Sequence, residues 1–268
     1  MTVELAHKAF GEDRLGREPA VVVLHGLFGS SRNWTAIAKR LSERRPVYAL
    51  DLRNHGASPW SAEMGYEDMA SDVAAFVEGQ SLGPIVLIGH SMGGKTAMAT
   101  ALGRSDLIAQ LIVVDIAPVD YTPDLRAYTQ AMLAVDLASA STRSDVDAEL
   151  QSAVPDPGIR AFLLQNIAAE DGAFTWRINL PVIDRELERL SRFPPALGGS
   201  QYAGPTAFIS GGQSDYVQPS HHDAIRGVFP SAAFEAIPGA GHWVHAEAPE
   251  LFIQSVERHL DVQTQRLG

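Results

Sequence analysis

An unbroken apolar run, Ile85 to Ile88, passes straight into Gly89-His90-Ser91-Met92-Gly93-Gly94, with helix-forming residues behind it. A strand, a Gly-x-Ser-x-Gly turn and a helix in that order hold the serine in a strained backbone conformation that lifts its hydroxyl above a sheet. Glycines two before and two after leave room for the neighbouring strand and helix. Other short runs rich in β-branched residues, Ala20 to Leu24, Val47 to Leu50, Leu111 to Val114 and Thr206 to Ile209, read as further buried parallel strands. Between them Trp34, Ile37, Ala38 and Leu41 share one helical face behind Asn33 as N-cap, and Tyr66, Met69, Ala70, Val73 and Val77 share another. Strands alternating with amphipathic helices predict an α/β fold: a mostly parallel, twisted sheet flanked by helices, with Thr2 to Phe10 adding an antiparallel edge strand.

The alternation lapses between Ala117 and about Gly204, where helical stretches, Pro155, Pro157, Pro181, Pro194, Pro195 and the Gly198-Gly199 pair occur without a strong strand. Residues 117–204 therefore read as a mostly helical cap inserted into a core made of residues 1–116 and 205–268. The pattern resumes with the strand at Thr206, a turn at Gly211-Gly212 and a helix opened by Ser220 with Asp223 three residues on. A last strand follows at Phe234 to Ile237, then a helix with Pro249 in its first turn and Ile253, Val256 and Leu260 facing inward.

Several chemistries are excluded by composition. With no cysteine among 268 residues, disulfides, thiolate catalysis and cysteine zinc sites are ruled out together. A net charge of -11 opposes a nucleic-acid footprint, which needs a basic face. No apolar run approaches the roughly 18 residues of a membrane span. The first fifteen residues carry Glu4, Glu12 and Asp13 without an apolar block, so neither a secretory signal nor a transit peptide is expected and the location expected is the cytoplasm. The partner expected is a small molecule, and nothing in the sequence specifies a subunit interface.

A serine hydroxyl is a poor nucleophile until a base takes its proton. Gly239-Ala-Gly241-His242-Trp243 supplies an imidazole directly after the last strand, with small residues that let the loop reach the sheet edge. Histidine is the side chain whose ordinary pKa, about 6.5, suits proton exchange near neutrality. His55, His90, His221 and His222 have no such placement and read as structural or solvated, and His25 reads as a brace for its loop. His242 and His245 have the spacing of a zinc pair but lack a third ligand, so metal is set aside, and the chemistry requires no cofactor.

Acyl transfer also needs donors aimed at the developing oxyanion. The Met92 N–H at the start of the helix is one, and the loop His25-Gly26-Leu27-Phe28-Gly29 offers the Leu27 N–H, with Phe28 as its alternative. Two aspartates can orient the histidine: Asp115, ending Leu111-Ile-Val-Val, and Asp215, in Gly211-Gly-Gln-Ser214-Asp215. Both keep the order Ser, Asp, His. Asp115 is favoured, because a carboxylate buried at a strand end needs a hydrogen-bonding partner and an imidazole is a natural one.

Taken together, His25-Gly-Leu-Phe-Gly-Ser30, Asp51-Leu-Arg53-Asn54-His55-Gly56-Ala-Ser58, Gly89-His-Ser-Met-Gly-Gly-Lys95, Asp115-Ile-Ala-Pro-Val-Asp-Tyr121 and Gly241-His-Trp-Val-His-Ala-Glu247 resemble the small esterase branch of the α/β-hydrolases. That branch contains compact bacterial carboxylesterases and the mammalian abhydrolase domain-containing protein eleven. The resemblance spans residues 25 to 247 and implies esterase or thioesterase activity on short or medium acyl chains, a serine at the Ser214 position and the acid at Asp115. Asp215 departs from the pattern by offering a second acid. Thioester or lactone hydrolysis at the same site, and a receptor-like binding role with negligible turnover, are the rival readings.

Overall fold

A computed structural model describes residues 1–267 except 17, 123, 124, 171 and 198. Gly198 of the Gly198-Gly199 pair therefore lies outside the described residues. Seven strands form the main sheet: β1 (His7–Phe10), β2 (Val21–Leu24), β3 (Val47–Leu50), β4 (Ile85–His90), β5 (Ile108–Val114), β8 (Thr206–Gly211) and β9 (Ala232–Ile237). Their spatial order is β1-β3-β2-β4-β5-β8-β9, parallel throughout except for β1, which pairs antiparallel with β3 at the edge as expected. β2, β3 and β4 are buried along their whole length, which is why they read as continuous apolar runs instead of alternating ones.

Two apolar layers cover the sheet. Val22, Leu24, Leu87, Leu111 and Val113 face a core built with α2 (Tyr66–Gly79) and α3 (Met92–Gly103). Val21, Val23, Ile88, Ile112 and Ile209 face the opposite side, against α1 (Thr35–Leu41) and α9 (Pro249–Leu267), where Ile253, Val256 and Leu260 point inward as predicted. Successive strand residues alternate between these layers because side chains alternate across a strand. No helix among the described residues is long and apolar enough to cross a membrane.

Two helix starts differ from expectation. Asn33 does not cap α1. A 3-10 turn, Ser31–Trp34, comes first, and Asn33 Oδ1 accepts the Ser30 N–H at 2.7 Å from inside it. Nor does Ser220 open the later helix: it lies inside a 3-10 turn, Pro219–His221, and α8 (His222–Val228) follows with Asp223 in its first turn.

The stretch between β5 and β8 holds α4 (Arg126–Ala134), α5 (Arg143–Leu150), α6 (Pro157–Leu163) and α7 (Leu180–Ser191). It also holds an unforeseen antiparallel hairpin, β6 (Ile167–Glu170) with β7 (Ala173–Trp176), so this stretch is not helical throughout. In the sequence its signal was the Asp-Gly dipeptide at 171–172, a pair common in hairpin connections, between runs too short to show a period. Met132, Leu150, Leu163, Ile183 and Leu187 belong to the same apolar cluster as Leu24 and Leu87, so the insertion packs onto the sheet's core.

Candidate active site

Register lines up the strand ends that matter. Leu24 pairs with Gly89, His90 with Val114, Val114 with Ile209 and Gly211 with Ile237, so the loops after β2, β4, β5, β8 and β9 all leave one edge of the sheet. Ligands of open parallel sheets bind at that carboxyl edge. Ser91 sits between β4 and α3 with φ +53° and ψ -117°, a conformation that costs an L-residue energy and is held by the surrounding packing. Its N–H donates to the Val114 carbonyl at 3.0 Å. Glycine is required at position 93, where a Cβ would lie 2.5 Å from the His25 carbonyl oxygen.

Beside the elbow, the loop after β2 is braced by two neutral histidines. His25 Nε2 accepts the Leu52 N–H at 3.0 Å while its Nδ1–H donates to the Gly26 carbonyl at 2.8 Å. His55 donates from Nδ1 to the Arg53 carbonyl and accepts the Phe28 N–H at Nε2, 3.3 Å away. Burial pulls both imidazoles down, His55 to about 3 with help from the neighbouring His25. The bond from Phe28 has a consequence: its N–H is occupied, whereas the Leu27 N–H has no acceptor among the described residues. Of the two loop donors weighed from sequence, Leu27 is the one left available.

Asp115 directly follows β5 with φ +52°, and its carboxylate is buried. Oδ1 accepts the Gly211 N–H at 3.0 Å, and Oδ2 accepts from the Ser214 hydroxyl and from His242 Nδ1, the latter at 2.7 Å. Asp215 is exposed and accepts from Gln218 Nε2 at 3.0 Å, with no hydrogen bond to an imidazole among the described residues. The structure thus brings Asp115, Ser214 and His242 together and leaves Asp215 outside. Residues the sequence left without a role hold the His242 loop. Tyr216 stacks on the His242 ring at 4.1 Å, and His90, the residue before Ser91, donates from Nε2 to the His242 carbonyl at 2.9 Å with the two rings 4.7 Å apart. Glu247 accepts the N–H groups of Gly241 and Trp243 at 2.7 and 3.1 Å. His245 is buried and stacks on Trp34 at 4.6 Å.

A narrow cavity opens over Ser91. Ser91, Leu27 and Met92 line it together with the apolar side chains of Ile116, Leu125, Leu187 and Leu190 and with Lys95, Tyr66, Tyr121, Ser191 and Tyr216. Lys95 follows Ser91 by four residues on α3, the helical spacing that could have flagged it; the tyrosines come from distant segments and carry no local signal.

A parallel sheet with this order, and an elbow serine at its carboxyl edge, define an α/β-hydrolase, and the chain belongs to that family: the alpha/beta hydrolase family model matches residues 21–255. Within it the chain falls in the small esterase branch related to ABHD11. It is 45% identical over 250 residues to the mouse sn-1-specific diacylglycerol lipase ABHD11, covering 90% of this chain and 81% of the relative. It is 36% identical over 247 residues to esterase YbfF of Escherichia coli, covering 90% and 92%. Among solved structures, a marine microorganism esterase superposes with a TM-score of 0.91 at 36% identity, over 96% of this chain and all of that one.

Proposed function

We propose that this hydrolase is a serine carboxylesterase acting on short- to medium-chain carboxylic esters through an acyl-enzyme. The observation that carries the reading is the 2.7 Å contact between His242 Nδ1 and the buried Asp115 carboxylate, at the same sheet edge as the strained Ser91. Because Nδ1–H is given to Asp115, Nε2 is the basic nitrogen that takes the Ser91 proton. The hydroxyl oxygen then bonds to the ester carbonyl carbon, and the N–H groups of Leu27 and Met92 hold the oxyanion. His242 passes its proton to the leaving alkoxide as the carbon–oxygen bond breaks. Water, deprotonated by the same imidazole, releases the acid and restores the serine. Esterase and lipase names among the relatives support an ester bond as the target. The apolar walls suit an acyl chain, and because Tyr121, Leu125, Leu187 and Leu190 come from residues 117–204, that insertion serves as the cap over the site.

Ser91→Ala is expected to lower kcat on p-nitrophenyl butyrate by about 10³-fold or more and to abolish labelling by a fluorophosphonate. Wild-type turnover in that variant would refute the mechanism. Labelling of the wild type without multiple turnovers on any ester would favour a binding role instead.

A further inference from the structure

The chemistry above makes no use of the cation in the cavity. Lys95 lies one helical turn beyond Ser91, its N–H donating to the Ser91 carbonyl at 3.0 Å, so the two residues are about 6 Å apart along the helix axis. Its side chain is buried, and Nζ donates to the Ser191 carbonyl at 2.9 Å, at the end of α7, while standing 5.0 and 5.8 Å from the ring centres of Tyr121 and Tyr66. An ammonium carries three N–H donors. Among the described residues, Ser191 is its one hydrogen-bond acceptor and no carboxylate forms an ion pair with it.

The groups around Lys95 cannot supply the missing counter-ion. Tyr66 donates its hydroxyl to the Leu190 carbonyl at 2.6 Å. Tyr121 accepts the Ala117 N–H and donates to the Tyr216 carbonyl. Burial pushes the phenols of Tyr66, Tyr121 and Tyr216 up, so all three stay neutral. Asp120 acts on Lys95 only through space, its Oδ1 accepting the Phe193 N–H at 2.9 Å. A buried cation without a partner is costly, and burial pulls this one down to about 7. Capping the α7 carbonyl employs a single donor, and Lys95 lines the cavity.

Position identifies which part of a substrate would meet Lys95. The leaving oxygen must face His242 to receive its proton. Leu27 and Met92, the donors assigned to the oxyanion, line the cavity beside Lys95, and the cavity is assigned to the acyl chain. We propose that Lys95 is the specificity-determining residue of the acyl pocket, selecting esters whose acyl chain carries a terminal carboxylate, the half-esters of dicarboxylic acids. That carboxylate accepts the free ammonium N–H groups and completes the ion pair. The assignment rests on the esterase reading of the site.

The test compares kcat/KM for monoethyl glutarate with that for ethyl pentanoate, which has the same chain length and no charge, by pH-stat from pH 6 to pH 9. Both esters use the same serine and imidazole, so taking the ratio cancels their titration, and kcat/KM reports the free enzyme. In the wild type the ratio of acidic to neutral ester is expected to fall at least tenfold as Lys95 loses its proton. Lys95→Met should lower the ratio at pH 6 at least tenfold and flatten its pH dependence, and Lys95→Arg should hold the pH 6 ratio up to pH 9. A wild-type ratio flat within twofold, or a Lys95→Met ratio equal to it, overturns the proposal; a structural lysine would change both esters alike. If Lys95→Met does not fold, the wild-type pH series and the arginine variant decide. Turnover of neither ester would overturn the esterase reading and this one with it, whereas turnover of both at a constant ratio overturns this one alone.

Discussion

Asp115 and Asp215 illustrate how much a single residue's surroundings decide. Both follow strands and both keep the chain order, yet one is buried with three donors on its carboxylate and the other is exposed beside Gln218. Asp115→Asn keeps the shape but offers an amide where His242 needs an acceptor, which favours the wrong tautomer. Esterase kcat is expected to drop by about 10⁴-fold. Asp215→Asn should leave kcat within about a factor of two, as for most surface changes. Steady-state kinetics on both variants check this, and the reverse ranking would reassign the acid. That choice was legible in the sequence only as a preference, because distances across 127 residues of chain are absent from it.

At the scale of elements, the run Asp51-Leu-Arg53-Asn54-His55-Gly56 carried resemblance but no stated task. It joins β3 to α2 and braces the loops around the site. Asp51 accepts the Ser31 and Ala57 N–H groups at 2.6 and 2.9 Å. The fully buried Arg53 grips Asp72 of α2 in a two-pronged pair, Nε to Oδ2 at 2.7 Å and Nη2 to Oδ1 at 2.8 Å. Without Asp72, the buried Arg53 keeps only the longer contact to Asp68 at 3.9 Å and carbonyl acceptors such as those of Glu63 and Asp68. Asp72→Ala is therefore expected to cost about 3–5 kcal/mol in urea unfolding, while the paired change Arg53→Met with Asp72→Leu should recover much of it. A cost below about 1 kcal/mol for the single change would mean that water reaches Arg53. The strands and the larger helices were readable from periodicity; the hairpin β6–β7 and the 3-10 turns were not, since each is shorter than the window a period needs.

For the molecule as a whole, the buried histidines set an acid limit. His25, His55, His90 and His245 are all pulled down chiefly by burial, His55 to about 3, His245 to about 4 and His90 well below its ordinary value. They are neutral in the folded chain, whereas the unfolded chain takes up protons below about pH 6.5. Their contribution is thus intact above that pH and is lost as pH falls toward the folded values, at up to about 1.4 kcal/mol per pH unit for each histidine. Urea unfolding at pH 7, 6 and 5 should show a steep decline. His245→Phe, which keeps a ring against Trp34 and removes an Nδ1 that has no partner among the described residues, should lessen the slope by about one histidine's share. Equal slopes in the two proteins would contradict the account.

The sequence alone determined the alternation of strands and helices, the strained serine turn and the late imidazole. Each is written in local periodicity, glycine placement or order along the chain, which act over a few residues. Only the tertiary structure decided that Asp115 and not Asp215 meets His242, that His55 occupies the Phe28 N–H and leaves Leu27 available, and that Lys95 stands in the cavity without an ion pair among the described residues. Those outcomes depend on the register of parallel strands and on side chains from distant segments packing together, which no local pattern encodes.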